Sequence, residues 1–548
     1  MLQRRARPLP AVLVRFALLA LVATALLSVA CEGDADLEAA GGTAAAATPA
    51  LAGASPPPAR SVAVEVADPA EADRYRAALE AAGFTVADHA ETRVTDAAAG
   101  IGASEGFLAR SWVIVTHPRS ALLDAGDDLA GLLHGPGPIV ATPAAAAWLA
   151  GAFPSDSREL QTASLAEVIG AVATRPDALG VIPAEELTPE VRALVVAGFD
   201  PYRDAPDANP LAEYRRADGP LAGEVREVIA GAVPPEEPVL FLATGELIPA
   251  RCVSDRVAGL EEGYGTTYDG TRDLIAGADL VVAHWEPAVI EGPPTPCTPT
   301  FNLSTRPEAA RAAAEAGVDV ALAVGNHVGD CWPGCAYQSA VIETVAHLEA
   351  AGLLTVGAGP DLAAAREPVI VQVDGVTFAI LAYDDIAFQH YGATATTAGT
   401  AHADLDGLAE DVRRAAERAD HVVVGFSWGI EYTATPSARQ RELARTAVKA
   451  GASLVVGNHP HWVQATEWIG DGFVAYGLGN FVFDQDWSVE TTQGAILEVG
   501  FSRERILGVR LRPTVVRQQY AVELLDPADA EGGAILQRMW DASDALSP

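Results

Sequence analysis

Five apolar runs from Val239 onward in this 548-residue sequence end in side chains able to bind a metal ion. VLFLATGE closes on Glu246, DLVVAHWE on His284 and Glu286, DVALAVGNH on Asn326 and His327, HVVVGFSWG on Ser427, and SLVVGNHPH on His459 and His461. Carboxylates, imidazoles and amide oxygens are the donors that divalent cations take, so the chemistry on offer is metal-assisted. A single Asn-His pair after a strand is more often a hydrogen-bonded turn, but a succession of such ends points to a site. In an open α/β sheet ligands bind beyond the carboxyl ends of the strands, where ends far apart in sequence meet in one crevice.

The spelling of these ends also resembles a known family. GNH at Gly325 to His327 and GNHPH at Gly457 to His461 are similar to signatures of calcineurin-like metallophosphatases. ADLVVAHWEP, VGNHVGD, GAGPDLAAAREPVIV, WGIEYTATPSARQRELA, GNHPHWVQATEW and YGLGNFVFDQ, in that order, look like CapA-type poly-gamma-glutamate capsule synthesis proteins, over about Val239 to Asp486. The resemblance implies a hydrolase site in which Glu246, Glu286, Asn326, His459 and His461 hold one or two divalent ions (Mn, Fe, Zn or Mg) and water is the nucleophile. His327 would stand outside the ligand set and protonate or stabilise the leaving oxygen, with Asp330 orienting it or capping the next loop. Glu431, Tyr432 and Asn480 would be scaffold contacts under the site, and Trp428 and Trp462 would line the groove or fill the core.

Three positions depart from the family's pattern. Gly245-Glu246 stands where Gly-Asp is usual, His284-Trp285-Glu286 for Asn-Leu-Glu, and Ser427-Trp428-Gly429 for His-Trp-Gly. Glutamate keeps the oxygen donor on a longer arm and His284 keeps a ligand type. Serine is a poor substitute for imidazole on a transition metal, so one well-held ion is expected rather than two.

These residues need a scaffold. From Ser61 onward strand-like and helix-like segments alternate, as in SVAVEVA, EADRYRAALEAAGF, SWVIVTH and ALGVIP, which argues for parallel sheets wrapped by helices. The expected fold is α/β in two parts. The first, 61–233, is periplasmic-binding-protein-like, because Leu179 to Pro201 resembles a segment of periplasmic solute-binding folds. The second, 238–525, is metallophosphatase-like with central β-sheets. Pro234, Pro235 and Pro238 mark the joint. Asp374-Gly375 reads as a tight hairpin, and Thr435-Pro436 as the start of a helix that stops at Gly451.

Composition bounds the partners. Lys and Arg number 36 against 73 Asp and Glu, a net charge of −37. That excludes a general nucleic-acid binder, and it would repel an anionic polymer unless cations or a local Arg patch intervened. Half the residues are hydrophobic and only 20% charged, which excludes wholesale disorder. Arg4, Arg5 and Arg7 precede an apolar run from Phe16 to Ala30 that is too short to span a bilayer as a helix, so 1–31 reads as a secretory signal. The small residues before Cys31 resemble a lipoprotein lipidation site. An extracytoplasmic lipoprotein of the cell membrane is expected, tethered through Cys31 and a flexible linker, 32–60. The remaining cysteines, Cys252, Cys297, Cys331 and Cys335, suit two disulfides in an oxidising compartment. Of three connectivities, Cys252 with Cys297 and Cys331 with Cys335 is favoured.

Three functions stay open on sequence alone. One is a metal-dependent hydrolase or transferase acting on a phosphoester or on polyglutamate. The second is a non-catalytic capsule export or assembly factor that binds synthase subunits or an anionic polymer. The third is a sensor that binds a solute in its amino-terminal domain. Metal content separates the first from the others.

Overall fold

The computed structural model describes residues 60–66, 69–96, 107–126, 129–153, 159–232, 237–298, 300–331, 335–386 and 388–546. Cys31, the rest of the expected signal, linker residues up to 59 and the proline-rich joint at 234–236 lie outside them. Among the described residues no helix is long and apolar enough to cross a membrane.

By internal contacts the chain divides into two units, Met1–Asp96 with Arg216–Ala232, and Ala97–Arg215 with Val233–Pro548. In the first, strand Ser61–Glu65 pairs in parallel with Thr85–Val86 and Thr92–Asp96, and helices Pro69–Ala81 and Ala222–Ala232 accompany them. In the second, strand Phe107–Thr116 runs antiparallel to Leu179–Pro183, beside which Ile139–Ala141 and Leu160–Thr162 continue in parallel. Helix Leu165–Thr174 starts at a capping box in which Ser164 and Glu167 satisfy each other's backbone N–H.

The carboxyl-terminal apolar runs form two sheets. In one, Val239–Leu247, Leu280–Trp285, Val320–Leu322 and Leu354–Val356 run parallel, and Gln493–Phe501, Ile506–Arg517 and Ala521–Leu524 extend the other side antiparallel. In the other, Val376–Asp384, His421–Ser427, Leu454–Asn458 and Gly472–Ala475 run parallel between the antiparallel edges Val369–Val373 and Thr466–Ile469. Strands covered on both faces must be apolar throughout, which is why these runs do not alternate. Every residue of Val239–Leu247, Leu280–Trp285 and His421–Ser427 is buried.

Phe241, Val282, Phe378, Val423 and Leu454 share the core that joins the two sheets, with Phe378 edge-on to Phe501 at 5.1 Å between centroids. Helices Pro307–Ala316 and Tyr337–Ala350 cover the first sheet, and Leu405–Ala416 and Ala438–Ala450 the second. The α/β class with central sheets therefore stands as expected. So does the hairpin: Val373 pairs with Val376, and Asp374 and Gly375 take φ of 45° and 84°, the two positive values that a tight hairpin turn of this twist needs. The helix before Gly451 begins later than Thr435-Pro436 suggests. Its cap is Ser437, whose hydroxyl accepts from Gln440 N while Gln440 Oε1 accepts from Ser437 N, a reciprocal pair that Thr435 does not form.

Both favoured disulfides are present, Cys252–Cys297 and Cys331–Cys335. The first closes a separation of 45 residues, for which chain entropy gives about 4 kcal/mol. The double variant Cys252→Ser/Cys297→Ser should lower the unfolding free energy measured by urea titration by up to that amount, with a matching fall in the midpoint. An unchanged midpoint would mean that the neighbouring Arg251–Asp484 ion pair holds this segment unaided.

Candidate metal centre

The carboxyl ends of the parallel strands bring Glu246, His284 and Glu286 together; Asn326, His459 and His461 lie outside that group of three. At Gly245 a Cβ would come within 2.1 Å of the Gly479 carbonyl oxygen, so only glycine fits. The register shifts between Ala243 and Glu246, and this irregularity sets Glu246 opposite both His284 and Asn480. Glu246 and Glu286 are fully buried and His284 is 1% exposed; one ligand atom from each lies within 4.8 Å of the others.

His284 Nδ1 pairs with Glu246 Oε2 at 2.6 Å, which leaves His284 Nε2 without a partner. Glu246 Oε1 accepts the backbone N–H of His459, so the GNHPH turn of the second sheet is held against the first. Both oxygens of Glu286, Asn326 Oδ1, Ser427 Oγ and His459 Nδ1 are also buried without hydrogen-bond partners. A Cβ on Gly325, where φ is 128°, would lie 3.2 Å from Ser427 Oγ and 3.5 Å from Glu286 Oε1, so the GNH turn, Ser427 and Glu286 share one wall. Folded interiors leave few polar atoms orphaned. This concentration of metal-ligand types fits a divalent cation.

Electrostatics agree. Burial pushes the pKa of Glu246 up to about 7 and that of Glu286 well above the ordinary carboxylate value. Burial also draws His284 down to about 4, His461 down to about 3, and His459 well below its ordinary value. Neutral imidazoles are ready ligands, and a cation would supply the positive charge that the two carboxylates lack.

The outer contacts fix orientation. Asn480 Oδ1 accepts from His461 Nδ1 at 2.9 Å, and Asn480 Nδ2 donates to Thr491 O at 2.8 Å and Gln485 Oε1 at 3.2 Å. His327 Nδ1 donates to Asp330 Oδ2 at 2.5 Å, and its Nε2 meets Asn326 Nδ2 at 2.9 Å. Asp330 Oδ2 also accepts from Leu303 N at 2.8 Å, so it both orients His327 and holds a loop. Burial works to lower the pKa of His327, but the Asp330 hydrogen bond and the Glu286 charge outweigh it and raise it. The side chains of His327 and Asp330 are 14% and 16% exposed, placing them nearer the opening than the carboxylates.

Backbone strain gathers at the same place. Of eight described non-glycine residues with positive φ, four are His459, His461, Tyr432 and Arg251. Tyr432 stacks on His461, and Arg251 lies over Phe483, which packs on His461. Each such conformation costs about 1–3 kcal/mol and persists where the surroundings impose it, most often at functional sites.

Of its two expected places Trp428 takes the core, stacked on Phe426 at 4.3 Å and donating to Tyr476 O. One expectation changes. Glu431 and Tyr432 are exposed rather than beneath the site, because Gly429 at φ 90° and Tyr432 at φ 59° turn the chain outward, with Tyr432 N donating to Pro460 O at 2.8 Å. Asp384 is a buried site residue that the strand-end reading passed over. It closes Val376–Asp384 in register with Ser427, and burial raises its pKa to about 7. Its signal was available, since AILAYD is another apolar run that ends in a carboxylate.

Fold and side chains together define an α/β protein with a buried group of carboxylate and histidine ligands at its parallel strand ends. Residues 240–485 match the family model described as bacterial capsule synthesis protein PGA_cap. The PGA biosynthesis protein CapA of Bacillus subtilis (strain 168) is 28% identical over 272 residues, 48% of this chain and 70% of that protein. The capsule biosynthesis protein CapA of Bacillus anthracis is 31% identical over 271 residues, 48% of this chain and 64% of that protein, somewhat under two thirds of its length. Among solved structures, the Haemophilus influenzae NAD nucleotidase is similar at 11% identity and TM-score 0.31, covering 56% of this chain and 62% of that one. The 5'-nucleotidase precursor from Thermus thermophilus gives 13% identity and TM-score 0.30, with 56% and 59% covered.

Proposed function

We propose that this protein is of the CapA family, an extracytoplasmic, membrane-anchored lipoprotein whose carboxyl-terminal domain is a metal-dependent phosphoester hydrolase acting in capsule synthesis. The observation that carries the reading is the set of buried, partnerless ligand atoms on His284, Glu286, Asn326, Ser427 and His459. A divalent cation bound there supplies Lewis acidity toward a phosphoryl oxygen and lowers the pKa of water. Glu246, Glu286, His284, Asn326 and His459 would hold it, with His461 oriented toward the same place by Asn480. Ser427 offers only a neutral hydroxyl, which favours one ion.

The chain's own groups do the rest. His327 stands at the opening with its Nδ1 proton committed to Asp330, so Nε2 is the atom that passes a proton to or from the leaving oxygen. Asn326 Nδ2 donates to that nitrogen at 2.9 Å, a contact that must open before Nε2 exchanges a proton with substrate. His327→Ala should lower kcat for bis(p-nitrophenyl) phosphate by about 10²–10⁴-fold while metal content holds. A loss of metal in that variant would move His327 into the ligand set.

Ser427 also favours a second reading, in which the cation is structural and the protein is an assembly factor binding synthase subunits. Metal-loaded full-length protein that turns over no phosphoester would support it.

A further inference from the structure

Four of the nine exposed large apolar side chains among the described residues fall in two short segments beside the metal centre: Ile430, Tyr432, Trp487 and Val489. The segments meet. Tyr432 stacks on His461 with centroids 6.0 Å apart and 25° between planes, and Trp487 stands edge-on to Tyr432 at 6.1 Å and 75°. Gln485 Nε2 donates to Tyr432 Oη at 3.3 Å and fixes that ring. A column of rings thus leads from a metal-site histidine to solvent and ends in an indole that is 60% exposed. The arrangement is not explained by packing, because Tyr432 holds a strained φ of 59° and remains 37% exposed.

The polar groups around this corner narrow what it receives. Glu431 precedes Tyr432, and Asp486 precedes Trp487 and accepts from Gln519 Nε2 at 3.0 Å; both offer carboxylate acceptors at the surface. Aromatic faces carry negative charge, so they favour the weakly positive C–H face of a saturated ring. Hydroxyls around such a ring donate to carboxylates. A nucleobase brings few donors, and a polyglutamate chain brings neither a saturated ring nor hydroxyls.

We propose that Tyr432 and Trp487 form a sugar-binding platform at the mouth of the metal centre, making the substrate a sugar phosphoester whose ring rests on the indole while its phosphoryl group is directed toward His327 and the cation that the buried ligands would hold. The proposal rests on the hydrolase reading, and the two can fail separately.

The test uses full-length protein loaded with manganese, glucose 1-phosphate as the ring-bearing probe and glycerol 1-phosphate as the ringless one. Trp487→Ala should reduce the preference in kcat/KM for glucose 1-phosphate by about tenfold, chiefly through KM, and Trp487→Tyr should restore most of it. Tryptophan fluorescence of the wild type should also respond to glucose 1-phosphate and not to glycerol 1-phosphate, and Trp487→Ala should lose the response. If neither ester is hydrolysed but the fluorescence response depends on Trp487, the hydrolase reading fails and the platform stands. Turnover with no ring preference, or a preference and response unchanged in Trp487→Ala, overturns the platform.

Discussion

Replacing Glu286 by glutamine is expected to stabilise the chelated protein and to abolish its stabilisation by divalent cations. Both oxygens of Glu286 are buried without a hydrogen-bond partner, and burial holds its pKa well above the carboxylate range. Without a cation an ionised group there is a liability, which a neutral amide of the same shape relieves. With a cation at a hundredfold excess over Kd, the wild type gains about 2.7 kcal/mol, whereas the variant should gain almost none.

The same physics sets the sign of a pH dependence. Glu246 has a folded pKa of about 7, above its unfolded value, so its contribution is full at low pH and is lost as pH rises through 7. Unfolded histidines become largely neutral only above about pH 7.5, and His284, His459 and His461, neutral when folded, oppose the carboxylates below it. Chelated wild type should lose stability above about pH 7.5, and Glu286→Gln should lose less. Thermal unfolding in chelator and in manganese reads all of this; equal stabilisation of both proteins by manganese would remove Glu286 from the ligand set.

Arg510→Met should cost about 3–5 kcal/mol, although it lies outside the metal centre. The Arg510 guanidinium is 1% exposed, donates to both oxygens of Asp200 at 2.7 and 2.8 Å and to Glu498 at 3.4 Å, and lies over the Tyr202 ring at 4.1 Å. Methionine fills similar space but leaves the buried Asp200 carboxylate without its cation and Glu498 with Arg512 at 3.3 Å as its remaining partner. The double variant Asp200→Asn/Arg510→Met should recover part of the loss, because the charge left behind is what does the damage. A fall in the urea-derived stability of less than about 1 kcal/mol in Arg510→Met would show that water already compensates these carboxylates.

What could be read from the sequence follows from what sequence patterns encode. Strands buried on both faces spell continuous apolar runs, so their ends, and with them Glu246, His284, Glu286, Asn326, Ser427 and His459, were visible without coordinates. The Asp374-Gly375 turn was visible because its backbone demands those residue types. The outward turn at Glu431 and Tyr432 was hidden, since a tyrosine at φ 59° follows from a tertiary contact to Pro460 and not from its own preference. The pairing of Arg510 with Asp200, 310 residues away, leaves no local trace. Nor does the ring column of His461, Tyr432 and Trp487, whose members come from three separate loops.

Elemental analysis of purified full-length protein tests the central claim most directly. The account predicts about one equivalent of a divalent transition metal in the wild type, near zero in Glu286→Gln, and a retained equivalent in Arg510→Met wherever that variant stays folded. A wild type free of metal after incubation with manganese or zinc, or equal metal in wild type and Glu286→Gln, would contradict it.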